Sequence, residues 1–264
     1  MATRKRFNGI SAEELKEFLE EKYLQYNNPS FIGKDPVSIP HRYTLALDRE
    51  IAGFLTATIA WGRRDLILKS ASRLMEIMGD APYDFIMNAG ENSLQKATLF
   101  VHRTFNGHDC GFFLKALRYI YLNYNSMEEI ICMGMESNGD IVPGLSNLRK
   151  TFFNLPHQCR TTKHFSDVER GAAGKRLFMF LRWMVRNDGR GVDFGLWKKI
   201  KPSQLYIPLD FHTGNTARKL GLLKRKQNDF KAVRELTDVL REFDGNDPVK
   251  YDFALFGLGV SERF

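Results

Sequence analysis

Hydrophobic positions along the chain recur mainly at helical spacing. Leu15, Phe18, Leu19 and Tyr23 form one stripe. It is entered through Ser11-Ala-Glu-Glu14, where the serine hydroxyl can accept an orphan amide while the glutamate reaches back, and it ends near Asn27-Asn28-Pro29. Residues 48–61 are apolar almost all round (Ile51, Phe54, Leu55, Ile59), which predicts a central buried helix. Residues 66–78 predict an amphipathic helix stopped by Gly79-Asp80-Ala81-Pro82, and residues 112–124 and 127–135 two more. Gly139, Pro143-Gly144 and Pro156 break up residues 136–165, which read as a loop region with one short helix. Helical spacing returns at residues 175–186, at 210–221 with Asp210 as N-cap and Gly221 after the last turn, and at 228–243. Alternating strand patterns are scarce. The expected fold is all-α, a single two-lobed helical domain over residues 1–264 with a cleft between the lobes.

Composition narrows the picture. The 264 residues are 43% hydrophobic and 27% charged, with 21 Phe, the mixture of a chain that buries a large aromatic core. No apolar run reaches the length of a membrane span, and the basic start lacks the apolar core of a secretory signal. Cys110, Cys132 and Cys159 are odd in number and far apart, as reduced thiols of a cytosolic protein would be. His157, Cys159 and His164, with Cys110 and His108, match no strong zinc spacing, so no metal is expected.

The net charge of +8 is unevenly spread. Residues 160–234 hold eighteen Lys and Arg against six Asp and Glu, a net of +12, whereas the rest of the chain is at −4. A basic field confined to one stretch suits a polyanion-binding face.

Within that stretch lies the most informative segment, Pro208 to Gly221. A proline, an apolar residue, Asp210, His212, a helix and a Leu220-Gly221 stop follow in register. Upstream, Gly171-Ala-Ala-Gly174-Lys175 leads into an apolar helix. Together these resemble the helix–hairpin–helix DNA glycosylase superfamily, with residues 52–61 similar to its buried first-lobe helix and 251–259 to its returning last helix. Ala173 departs from the hairpin pattern, where a second glycine is expected. The 35-residue step from Lys175 to Asp210 is similar to that of the archaeal 8-oxoguanine branch. As a whole, the chain also resembles a bacterial family of unassigned function.

The resemblance implies base-excision repair on double-stranded DNA: cleavage of the N-glycosidic bond of a damaged base, an oxidised purine, with AP-lyase activity. Lys175 takes the place of the nucleophile and Asp210 that of the catalytic carboxylate. It further implies a cytoplasmic, nucleoid-associated monomer without a cofactor, since no cysteine cluster follows the last helix. Chemistry asks the same of these residues. A base inside a duplex must be extruded before it can be attacked. The lysine must lose its proton, which burial and the adjacent Arg176 charge favour. Asp210 at a helix N-terminus is stabilised as a carboxylate and can take that proton. Gly171 and Gly174 would let backbone amides approach phosphates.

Further expected DNA contacts are Arg176, Arg182, Arg186, His212, the Lys224-Arg225-Lys226 run, and Trp61 with Arg63, near the corner where the family places base-flipping residues. Each also has a plain reading: Asp210 as a cap, Lys175 and the basic run as solvated surface, His212 bonded to a carbonyl, Trp61 as core. Two rival functions stay open. One is a DNA binder of the same fold that does not cut. The other is an RNA-binding or RNA-modifying protein using the basic face.

Overall fold

The Ser11 motif opens the first helix as the sequence predicts. In the computed structural model, which describes residues 6–137, 139–262 and 264, the Ser11 hydroxyl accepts the Glu14 amide at 3.2 Å. The Glu14 carboxylate accepts the Ser11 amide at 2.9 Å, starting α1 (Ala12–Tyr26). Then come α2 (Ala46–Thr58), α3 (Arg64–Ile77), α4 (Pro82–Asn88), α5 (Glu91–Ala97), α6 (Gly107–Asn123), α7 (Met127–Gly134) and α8 (Ile141–Phe152). The last four are α9 (Lys175–Val185), α10 (Phe211–Lys219), α11 (Phe230–Phe243) and α12 (Tyr251–Ser261). Among the described residues the only sheet is a small hairpin, β1 (Arg6–Phe7) with β2 (Ile10–Ser11), closed by Asn8-Gly9 with φ of 47° and 91°. The fold is all-α. Residues 1–5 of the basic start lie outside the described residues.

One expectation needs correcting. The segment read as mostly loop contains α8, twelve residues long. Pro143 is its third residue, where a backbone amide has no intrahelical partner to lose. Gly144 is there for packing: a Cβ on it would stand 2.4 Å from the Ile131 carbonyl oxygen, so only glycine lets α7 and α8 close on each other.

The chain divides into two compact units, one of Met1–Phe31 with Arg170–Phe264 and the other of Ile32–Glu169. The inner unit, α2 to α8, is built on α2, where Ile51 and Ala52 are fully buried. Phenylalanines fill it: the Phe113 and Phe152 rings lie 4.8 Å apart and Phe54 lies 5.5 Å from Phe152. The terminal unit holds α1 and α9 to α12, with α12 packed on both α1 and α10. Glycines set those approaches. A Cβ on Gly257 would stand 2.2 Å from the Tyr26 ring, and one on Gly259 would stand 2.9 Å from Thr216 Oγ1. No helix of the described residues is long and apolar enough to cross a membrane.

Candidate active site

Lys175 is the first residue of α9, and its lead-in is shaped by two glycines in the left-handed region, Gly171 (φ 95°) and Gly174 (φ 62°). The Gly171 carbonyl accepts the Phe230 amide at 2.9 Å, pinning the turn to the start of α11. The lead-in is a turn into one helix. What precedes it is a 3-10 segment, Cys159–His164, and the α-helix before that ends at Phe152, so the expected helix–hairpin–helix is not formed by contiguous α-helices.

Asp210 caps α10. Its Oδ1 accepts the Thr213 amide at 2.9 Å, and its backbone carbonyl accepts from Asn228 Nδ2 at 3.1 Å. Gly221, with φ 77°, ends the helix: its amide bonds the Arg218 carbonyl at 3.0 Å and the Leu222 amide bonds Ala217 at 2.8 Å. With Oδ1 held by the cap, Oδ2 is left to face Lys175, and the Nζ–Oδ2 distance is 4.0 Å. That is too long for a hydrogen bond. The lysine side chain is 30% exposed and its Nζ lies 3.7 Å from Met179 Sδ, so the ammonium is held against an apolar wall with one carboxylate before it.

A third group joins them. Asp252, on α12, is buried, and its carboxyl is pushed up to about 6: burial raises it most, Arg182 opposes, and Asp210 adds to the rise. Arg182 cannot fully compensate it, because the same guanidinium also bonds Asp193 at 3.3 Å. Motif and spacing pass over Asp252. Its one signal in the sequence is a lone carboxylate in an otherwise apolar helical run.

A family model matches residues 35–261. The chain belongs to the family described as "Protein of unknown function (DUF2400)". No curated protein and no solved structure matches it.

The remaining basic residues of this DUF2400 chain separate into surface and interior. Two expected DNA contacts are corrected. Arg182 is 3% exposed and Arg186 is 1% exposed, and both point inward. Arg182 bonds Asp193 and Asp252 and lies with its Cζ 4.1 Å from the Phe253 ring centroid. Arg186 contacts Asp247 at 2.7 Å, Tyr23 Oη at 2.8 Å, Asp188 at 2.9 Å and Asp193 at 3.0 Å. Burial alone would lower its pKa, but those carboxylates raise it overall. No phosphate could reach either without breaking this network.

Arg176 is half-buried, and burial brings it down to about 10. Arg225 is held by Asp229 at 2.7 Å, while Lys224 and Lys226 on either side are exposed. His212 is exposed on α10. Trp61 and Arg63 belong to the inner unit. Trp61 stacks on His164 (5.8 Å, 27°), and Arg63 is exposed and paired with Asp65 at 2.7 Å. Among the described residues no group of three or more His, Cys, Asp or Glu is arranged to hold a metal ion.

Proposed function

We propose that the chain is a base-excision DNA repair enzyme, a glycosylase with AP-lyase activity acting on a damaged base, an oxidised purine, in double-stranded DNA. The observation that carries this reading is the Lys175–Asp210 pair. Residues 35 apart in sequence, each placed by the start of its own helix, meet at 4.0 Å with the carboxylate aimed at the amine.

In this reading Asp210 takes the proton from the Lys175 ammonium, and the neutral amine adds to C1′ of an extruded nucleotide. The C1′–N bond breaks, and the base leaves with the bonding electrons and is protonated. The sugar ring opens at O4′ to leave a protonated Schiff base on Lys175. Loss of a proton from C2′ then expels the 3′ phosphate by β-elimination, and water releases the lysine. Asp210 passes the proton it took to the departing base and, negative again, stabilises the positive charge of the Schiff base. The protein acts on DNA in the cytoplasm, as a monomer, through a basic surface that includes Lys224 and Lys226.

A second reading, a protein of the same fold that holds DNA without cutting it, is favoured by Ala173 and by the lack of an α-helix directly before the turn. Borohydride trapping separates the two. Wild type on duplexes carrying 8-oxoguanine, uracil or an abasic site is expected to give a covalent adduct that Lys175→Gln abolishes and Asp210→Asn slows at least about a hundredfold. An adduct that survives Lys175→Gln, or tight binding with no adduct, refutes the lyase assignment.

A further inference from the structure

Starting at Phe211, the residue after Asp210, α10 lines with Gly259 of α12 a groove of about 400 Å3 that the proposed chemistry does not use. Its floor is Thr216, fully buried, whose hydroxyl has no hydrogen-bond partner. A buried hydroxyl without a partner is costly to keep, and this one belongs to a residue that lines the groove. Only a glycine fits over that oxygen, because a Cβ at Gly259 would stand 2.9 Å from it.

The mouth is aromatic. Phe211, the residue after Asp210, is 69% exposed, and its ring meets the His212 ring edge-on at 5.7 Å. Asn215 adds an amide, and Lys219 and Arg218 add positive charge. No acidic residue lines the groove among the described residues.

A planar ring to stack on Phe211, a hydrogen-bonding edge to satisfy Thr216 and Asn215, and an anion for Lys219 are together the chemistry of a nucleotide. We propose that this groove binds a nucleotide, its base stacked on Phe211 and bonded to Thr216 and its phosphate on Lys219. Because the groove starts one residue from Asp210, the occupant is an unpaired nucleotide of the strand, next to the reacting one. Only that choice of source rests on the repair reading.

The test uses 2-aminopurine as a fluorescent base. Wild type is titrated with two duplexes that carry an abasic site flanked by 2-aminopurine on the 5′ or the 3′ side, and separately with 2-aminopurine deoxyriboside 5′-monophosphate. Quenching in one duplex is expected. Phe211→Ala should remove it and weaken binding about tenfold. Thr216→Val should also weaken binding while leaving the thermal midpoint unchanged or higher, since it deletes the unmet hydroxyl. That opposition is one a purely structural threonine would not give. Quenching of the free monophosphate with the same dependence on both residues supports the site and makes the free nucleotide its source. Quenching in no arm, or quenching that survives both substitutions, overturns the proposal. Borohydride trapping of wild type on the same duplexes is read alongside. An adduct without quenching defeats the groove alone, and quenching without an adduct defeats the lyase reading alone.

Discussion

The two ends of α9 hold their cations in opposite ways. Lys175 opens the helix with a side chain 30% exposed and one carboxylate 4.0 Å away. Arg182 and Arg186, two and three turns on, are buried among Asp188, Asp193, Asp247 and Asp252 at hydrogen-bonding distance. A guanidinium buried among carboxylates that it already bonds is part of the core and is not free to take up a ligand. An amine that faces a carboxylate too distant to bond keeps its chemistry. One helix thus carries two buried, paired cations and one partly exposed cation whose carboxylate stands off, and charge counting treats them alike.

The contrast breaks most visibly in stability. Arg186→Met takes the guanidinium away from Asp188, Asp193 and Asp247, of which Asp193 keeps Arg182 and Asp188 keeps Tyr23, and breaking a buried pair in this way is expected to cost about 3–5 kcal/mol in denaturant unfolding. Lys175→Met should stay within about 1 kcal/mol of wild type, as partly exposed pairs do. Equal losses from the two substitutions would erase the distinction.

Proton linkage sharpens it next. Asp252 titrates at about 6 in the folded chain against an ordinary 3.8, so the folded state holds its proton over that interval and stability falls as pH rises from about 4 to 6. Asp188 is lowered to about 2: burial would raise it, but the hydrogen bond from Tyr23 and the charge of Arg186 outweigh that. Its contribution is therefore present above about 4 and is lost as pH falls towards 2. Asp252→Asn should flatten the decline between pH 4 and 6, by up to about 3 kcal/mol, and leave the acid limb alone. Unfolding curves taken across pH 2–7 report both limbs. An unchanged slope in Asp252→Asn would mean that Arg182 compensates the carboxylate in full.

What the sequence disclosed follows from where information is local. Capping boxes, helical stripes and stops act within a few residues, so α1, α9, α10 and α11 were legible, and so was Asp210 as a cap. The seven-residue helices α4 and α5 are too short to display a period. Pro143-Gly144 looked like a break because its purpose, close approach to Ile131, is a contact across helices. Arg182 and Arg186 are expected as DNA contacts because they lie in the basic stretch. The better signal was that every neighbour on α9 from Leu177 to Val185 is apolar, which leaves no solvent face for them. Asp252 needed the fold itself, as its partners Arg182 and Asp193 lie 59 or more residues away.

At the Lys175 end, capping and the proposed chemistry can be separated within one residue. Asp210→Ala removes the bond to the Thr213 amide and should cost about 1 kcal/mol, whereas Asp210→Asn keeps an acceptor in place and should cost little. Both remove the charge facing Lys175. If the pair is catalytic, the two variants differ in stability but lose adduct formation alike. Activity that tracks stability across them would reduce Asp210 to a cap.

The smallest effect on stability is expected at the surface. Lys224 and Lys226 are exposed, while Arg225 between them is held by Asp229. The double substitution Lys224→Ala, Lys226→Ala should leave the thermal midpoint unchanged and lower the slope of log K against log salt for duplex DNA by about 2, one unit for each phosphate no longer neutralised. Arg225→Ala should do the reverse. It unpairs Asp229, the cap whose carboxylate also accepts the Ala232 amide at 3.1 Å, and so loosens the start of α11 with little change in the salt slope. A double variant with an unaltered slope would place the polyanion face elsewhere on the terminal unit. It would also show that, here as on α9, the density of basic residues is a poor guide to which of them meet a ligand.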